Sequence, residues 1–132
     1  IQAFDLDASD GSLSRQRLFA QFPLRDAAAP LAGYGGRPDG AAMDSEGAYW
    51  VAMFEGQRLL RLAPDGSQLA ELPLPVRCPT MPCFGGPDLK TLYITTARDK
   101  RPADELAAQP LAGCVLQCRV PVAGLPAHMA RL

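Results

Sequence analysis

One carboxylate in this sequence, that of Asp39, is placed as a metal-binding or proton-accepting group would be. It stands between Pro38 and Gly40 in the segment Arg37-Pro38-Asp39-Gly40. Proline fixes its own φ and biases the preceding residue towards an extended conformation, while glycine allows a sharp turn. The sequence therefore predicts that Asp39 is aimed in one direction at the entrance to a strand. A carboxylate held in this way can bind a hard divalent cation or accept a proton.

The Pro-Asp-Gly triplet does not identify a site by itself, because it occurs twice. The second copy, in Pro64-Asp65-Gly66-Ser67, lies between two predicted strands and is adequately explained as a turn. Position singles out Asp39, which follows a long connection rich in Ala, Pro and Gly over residues 23–37.

The residues after Asp39 predict a hairpin between strands. In Asp44-Ser45-Glu46-Gly47, the aspartate can cap the turn and the glycine can supply a positive φ. Residues 48–54 are apolar throughout, which indicates a strand covered on both faces and hence stacked sheets. This region is predicted to contain four strands, over residues 41–44, 49–54, 58–63 and 68–74.

Further strands are predicted on both sides of this region. Asp10-Gly11 is a hairpin signal between two segments with strand character. The predicted strands outside the central region cover residues 1–7, 13–19, 80–84, 91–97 and 113–120, and residues 102–109 are predicted to form one or two helical turns.

Composition excludes several classes of partner. The 132 residues carry a net charge of −1, from 13 basic and 14 acidic side chains spread along the chain, so neither nucleic acid nor an anionic membrane surface is an expected partner. The longest apolar run, residues 48–54, is far shorter than the ~20 residues of a membrane span. We expect a cytoplasmic protein, and because the chain begins at Ile1 rather than methionine, we expect it to start within a longer gene product.

The four cysteines at positions 78, 83, 114 and 118 could form a metal cluster, two disulfides or neither. If the segment holding Cys114 and Cys118 is extended, their Cα atoms lie about 13 Å apart, whereas a disulfide needs about 7 Å or less. Cys78 and Cys83 lack the spacing of a zinc knuckle. The sequence predicts buried free thiols in a reducing compartment.

Two other features could belong to a site. The run Arg98-Asp99-Lys100-Arg101 could contact a substrate, but charge after a strand is typical of a solvated loop. His128, the sole histidine, could be a base, but its place near the terminus favours a surface side chain.

Residues 37–53 as a whole resemble the family of senescence marker protein (regucalcin) and gluconolactonase, in which a Pro-Asp-Gly-x-x-x-Asp-x-x-Gly-x-x-Trp-Val-Ala pattern recurs. The resemblance continues through residues 58–62, 72–76, 83–86, 92–98 and 109–113. It implies an all-β fold, a six-bladed β-propeller whose blades have roughly 40–45 residues each, so that this chain matches about three blades of the C-terminal half. The expected parts are an incomplete blade (1–22), a complete four-stranded blade (38–75) and the last blade (79–132).

The resemblance also implies a chemistry. Members of the family hydrolyse sugar lactones with one divalent cation (calcium, zinc, manganese or magnesium) held by a Glu, an Asn and an Asp. Asp39 matches that Asp, and is the expected metal ligand and catalytic residue. The matching Glu and Asn fall in regions that precede Ile1, so this chain alone is expected to be a poor enzyme.

An alternative interpretation is a non-catalytic propeller fragment that self-associates or binds calcium. Three blades of a ring would leave sheet edges and blade faces exposed, and a homodimer could cover them. Both interpretations remain open at this point.

Overall fold

The computed structural model of the chain describes residues 1–126, which form strands and one short helix. The strands are β1 (Gln2–Leu6), β2 (Leu13–Leu18), β3 (Arg37–Met43), β4 (Tyr49–Phe54), β5 (Arg58–Leu62), β6 (Gln68–Pro73), β7 (Pro79–Gly85), β8 (Thr91–Thr96) and β9 (Val115–Arg119), and the helix is α1 (Ala103–Ala108). His128 lies outside the described residues.

The strands form three antiparallel sheets in which sequence neighbours are also spatial neighbours. The first sheet has the order β1-β2, the middle sheet β3-β4-β5-β6 and the last sheet β7-β8-β9. Short turns make this arrangement natural, because consecutive antiparallel strands can be joined by tight hairpins. The blade limits of 1–22, 38–75 and 79–132 stay a prediction, although each range contains one of the three sheets.

The buried strand β4 confirms the prediction that residues 48–54 are covered on both faces. Its alternate side chains enter two different cores, since successive residues of a strand point to opposite faces. Trp50 and Ala52 pack in a cluster with Leu92 and Ile94 of the last sheet. The other face of the middle sheet meets the first sheet and its following loop; Val51, Met53, Leu60 and Leu62 form that second core, with Ile1, Phe19, Ala20, Phe22, Ala41 and Tyr49 packed against it.

A buried carboxylate, that of Asp44, ties three strands of the middle sheet together. Its Oδ1 accepts hydrogen bonds from the backbone N–H groups of Glu46 and Ala48, both at 3.0 Å. Its Oδ2 accepts from Trp50 Nε1 at 2.9 Å and from Arg61 Nε at 2.7 Å. The turn-capping role expected of Asp44 is therefore one part of a larger one, because two side chains from β4 and β5 also depend on it.

Burial by itself raises the pKa of the Asp44 carboxyl, but the hydrogen bonds to it outweigh that effect and leave the pKa below its ordinary value of 3.8. Asp44 is 0% exposed. An ionised group at such a position is stable only when it is paired and hydrogen-bonded, as it is here.

The inner strands β3 and β7 approach each other closely at Gly40. A Cβ at this position would lie 2.6 Å from the carbonyl oxygen of Thr80 and would also overlap the side chain of Met81. The prediction that Gly40 makes a sharp turn is wrong: it lies inside β3, which begins at Arg37 rather than at residue 41, and its φ is not positive. Glycine is needed here because two backbones meet, not because the chain turns.

Most of the remaining local predictions are confirmed. Gly47 and Gly66 adopt positive φ in the turns where the sequence requires it. The helix α1 lies within the predicted segment 102–109, with Pro102 at its N-cap. Nowhere in residues 1–126 is there a helix with the length and apolarity that a membrane span requires.

We expect Asp44→Ala to lower the free energy of unfolding by about 3 kcal/mol, because Arg61 loses a buried partner and the Trp50 N–H is left unsatisfied. Urea denaturation measures this change. Asp65→Ala is the matched control: Asp65 is exposed and only caps its own turn through Ser67, so a loss of similar size there would contradict the role given to Asp44.

The stability of the wild-type chain should also depend on pH through Asp44. Because its folded-state pKa lies below the unfolded value, the stabilisation is present above 3.8 and is lost as pH falls through the folded-state value. The slope of unfolding free energy against pH in this acid range should be smaller in Asp44→Asn. Equal slopes in the two proteins would show that other carboxylates account for the acid sensitivity.

We expect Gly40→Ala to cost about 1–3 kcal/mol, since an added methyl must push β3 away from β7. The loss should be smaller in a Met81→Ala background, where one of the two overlapped groups is gone, and the four proteins form a double-mutant cycle measured by thermal unfolding. A Gly40→Ala variant as stable as wild type would contradict the close approach.

Candidate functional site

Asp39 lies in β3 at a β-bulge. The register of β3 with β4 is Pro38↔Met53 and then Ala41↔Val51, so two residues, Asp39 and Gly40, stand opposite one. Bulges bend a strand and re-aim a side chain, and they are frequent beside active sites. The Asp39 side chain is exposed, and within residues 1–126 no hydrogen bond or salt bridge engages its carboxylate. The carboxylate is therefore free for a ligand from outside.

The bulge lies close to the side of the two adjoining sheets at which β3 and β7 begin and β4 and β8 end. We call this side, which is made of strand ends and not of an outermost strand, the Asp39 edge. It is formed by the register pairs Arg37↔Phe54 of the middle sheet and Pro79↔Thr96 of the last sheet. The connections β4–β5 and β8–β9 leave from this edge. Four segments of the chain thus meet at this edge, although they are up to about 70 positions apart in the sequence: the start of β3, the β4–β5 connection, the start of β7 and the β8–β9 connection.

Two open grooves run along the two sides of β3. One, of about 630 Å³, lies between the first sheet and the start of β3, and Pro38 and Arg37 belong to its wall. The other, of about 510 Å³, lies between β3 and β7, and Met81 and Cys83 belong to its wall. A small molecule thus has access to the strand that holds Asp39 from either side.

Asp39 fits one ligand position of a hard divalent cation, but the described residues do not supply the others. Calcium takes six to eight oxygen ligands. Within residues 1–126 there is no group of three or more His, Cys, Asp or Glu side chains that could hold a metal ion. A cation bound at Asp39 needs further oxygens from water, from substrate or from other polypeptide.

The residues of the charged run 98–101 differ in their exposure to solvent. Asp99 and Lys100 are 85% and 91% exposed, as a solvated loop predicts. Arg101 is only 10% exposed, and the expectation of a solvated side chain is wrong for it, because both ends of its guanidinium are held by Glu105 and Glu55. The four-residue spacing from Arg101 to Glu105 in a predicted helix was the available signal.

All four cysteines are free thiols, as predicted. Their expected burial is confirmed for Cys78 and wrong for Cys83 and Cys114, which are exposed, while Cys118 is half-buried.

Glu55 and Thr80 are two residues of the Asp39 edge that the sequence did not single out. Glu55 follows β4 and Thr80 is the second residue of β7. A single acidic residue in a turn and a threonine in a proline-rich segment carry no recognisable pattern. Pairing of β3 with β4 brings Glu55 beside Arg37, and packing of the middle sheet on the last sheet brings Thr80 against Gly40.

Comparison with known proteins places the chain in a family. A profile of the SMP-30/gluconolactonase/LRE-like region matches residues 1–98. The chain is 62% identical over 124 residues to the 6-deoxy-6-sulfogluconolactonase of Pseudomonas putida, an alignment that covers 94% of this chain and 40% of that protein. It is 38% identical over 130 residues to the regucalcin of Danio rerio, covering 97% of this chain and 41% of that protein.

A solved structure agrees. The calcium-binding protein regucalcin from Agrobacterium tumefaciens superposes with a TM-score of 0.82 at 29% identity, over 99% of this chain and 42% of that chain. The chain thus spans about two fifths of the length of the relatives that it matches. The predicted fold, an all-β fragment of a regucalcin-type propeller, is confirmed. On the residues matched and the identity shared, the chain belongs to the SMP-30/gluconolactonase/LRE-like family.

Proposed function

We propose that the chain is the part of a lactone-hydrolysing enzyme that contributes Asp39 to a divalent-metal site. The observation that carries the proposal is the state of that carboxylate. It is exposed at a bulge and unpaired within the described residues, and neighbouring residues of its strand border a groove on either side. Asp44, whose role is structural, is by contrast buried and fully paired.

The first substrate to test is 6-deoxy-6-sulfogluconolactone. The relative with 62% identity is named for its action on this compound, and the identity extends over 94% of the present chain. We propose the broader class, sugar-acid lactones, as the substrate, with the sulfonated lactone as its first member.

Hydrolysis of a lactone adds water to the ring carbonyl and breaks the bond from that carbon to the ring oxygen. One water proton must leave as the carbonyl carbon is attacked, the ring oxygen must gain one, and the product is an open-chain hydroxy acid. Asp39 is proposed to hold the metal and to accept the proton of the attacking water. A bound divalent cation supplies Lewis-acid polarisation of the carbonyl oxygen.

The remaining ligands are proposed to come from outside residues 1–132, from further polypeptide of the same protein or from a second chain. Calcium, magnesium, manganese and zinc all accept carboxylate oxygen, so the carboxylate itself does not choose among them. Four free thiols suit a reducing compartment, which agrees with a cytoplasmic location.

We expect Asp39→Asn, made in the longer polypeptide or complex that supplies the remaining ligands, to abolish metal-dependent acid release from the lactone, because an amide carries no charge to hold the cation and accepts no proton. Acid production is followed with a pH indicator, in the presence of added Mn²⁺ or Ca²⁺ and in the presence of a chelator. Mn²⁺ binding is measured in parallel by electron paramagnetic resonance spectroscopy.

Asp65→Asn is the matched control, since Asp65 stands in the second Pro-Asp-Gly triplet and accepts its hydrogen bonds from Ser67 in a turn. It should change neither hydrolysis nor Mn²⁺ binding. Equal loss in both variants, or hydrolysis and Mn²⁺ binding that survive in Asp39→Asn, would contradict the proposal.

A second function, self-association without catalysis, is favoured by one observation. The first sheet leaves large apolar side chains in contact with solvent: Phe4, Leu6, Leu13 and Leu18 are 41%, 65%, 62% and 66% exposed. Leu6 and Leu13 are register partners and so form one patch. Burying such a patch against a second copy would remove apolar surface from water.

If self-association is its function, we expect the isolated chain to have an apparent mass of about twice 14.1 kDa. The Leu13→Lys variant should have the monomer mass of 14.1 kDa. Sedimentation equilibrium measures both. A wild-type chain that is monomeric at high concentration would rule out this second function.

A further inference from the structure

A chain of ion pairs crosses the Asp39 edge from the last sheet to the start of β3. Arg101 donates to Oε1 of Glu105 through Nε and to Oε2 through Nη2, both at 2.8 Å. Its Nη1 donates to Oε1 of Glu55 at 3.0 Å. The Arg101 and Glu55 side chains are 10% and 15% exposed, so solvent screens these contacts only weakly.

Glu55 extends the chain of ion pairs to the strand that holds Asp39. Its second oxygen, Oε2, accepts a hydrogen bond from Nη1 of Arg37, the first residue of β3. The Arg37 guanidinium also stacks on the ring of Phe54, 4.4 Å from its centroid. Both carboxylate oxygens of Glu55 are thus engaged, one by each arginine, and Arg37 stands two residues before Asp39.

The backbone at Glu55 shows that this position is held rather than free. Glu55 has φ 64° and Gln57 has φ 58°, values in the left-handed region that side chains of this kind seldom adopt. Gly56 between them packs directly against Gly35 and Gly36, and a Cβ on it would lie 2.6 Å from the carbonyl carbon of Gly35. Strained backbone of this sort persists only where surrounding contacts enforce it, and it clusters at functional sites.

The helix end of the network is also fixed. Glu105 pairs with Nε of Arg77 at 3.2 Å, and Gln109 Oε1 accepts from the Arg77 backbone N–H at 2.7 Å. The connection that contains α1 is therefore attached to the chain just before β7. Arg101 links this connection to Glu55, and Glu55 links it to Arg37 at the start of β3.

We propose that Glu55 is a positioning residue for Asp39: by bridging Arg37 and Arg101 it holds the first residues of β3, and with them the bulge, in one geometry relative to the last sheet. The inference rests on the proposed function of Asp39 as a ligand. The backbone of a bulged residue makes few of the hydrogen bonds that join neighbouring strands. The position of a ligand side chain on that residue therefore depends on what fixes the strand on either side of it. The β4–β5 turn supplies that support through a single side chain.

Hydrogen exchange of the β3 amides, followed by NMR on the 132-residue chain, tests the proposal. In Glu55→Gln, exchange over residues 37–42 should be about tenfold faster or more, because two charge-assisted contacts are lost. The side-chain carboxyl carbon resonance of Asp39 should move as well. If Glu55→Gln does not fold, Arg37→Gln breaks the same bridge from its exposed end, where the side chain is 52% exposed.

Glu71→Gln is the matched control. It makes the same chemical change in the same sheet and breaks a different ion pair, to Arg58, on the outer strand β6. Exchange in β3 and the Asp39 resonance should stay at their wild-type values. Arg101→Lys keeps the charge but loses the fork of hydrogen bonds, so it should speed β3 exchange by a smaller factor than Glu55→Gln.

Three results would overturn the inference. Unchanged β3 exchange in Glu55→Gln would show that Asp39 does not depend on the bridge. An increase in exchange rate by the same factor in all three sheets, together with a lower Tm, would show that Glu55 stabilises the whole fold and not β3 in particular. Wild-type β3 exchange in Arg101→Lys would remove the link to α1. None of these readouts needs metal or lactone, so failure of the proposed function leaves them interpretable.

Discussion

The buried carboxylate of Asp44 is the interaction on which the middle sheet depends. An ionised group without exposure is costly unless every oxygen is hydrogen-bonded, and here two backbone N–H groups, Trp50 and Arg61 meet that need. Because the donors come from the turn, from β4 and from β5, satisfying one carboxylate fixes the relation of three strands. The alternating side chains of β4 then enter the cores on both faces of the sheet.

Strand β3 begins near one carboxylate and is followed by another, and their environments differ. Asp44 is enclosed and paired, whereas Asp39 is exposed at a bulge and unpaired within the described residues. The close approach at Gly40 presses the strand between them against β7. The fold thus keeps one end of β3 rigid through burial. At the other end it exposes a carboxylate to solvent, with Glu55 bridging from the adjacent turn to Arg37.

Local patterns were sufficient for most of the strands. The apolar run 48–54 indicated a doubly covered strand, and Gly47 and Gly66 marked turns in which the backbone has positive φ. Gly40 was misjudged because proline and glycine beside an aspartate look alike in a turn and in a bulged strand. Arg101 was misjudged because a run of charge gives no information about partners such as Glu55, 46 positions away.

The sequence by itself determined the strand order, the turns and the family resemblance, and it made Asp39 the candidate ligand, because these depend on patterns of residues close together along the chain. Tertiary structure alone decided that Asp39 sits on a bulge, that Gly40 is needed for contact with Thr80, and that the Asp39 edge carries an ion-pair network. The bulge depends on the register between β3 and β4, and the other two features depend on contacts between separate parts of the fold. Long-range packing brings together side chains whose separation in sequence leaves no periodic signal, so no local pattern could have shown them.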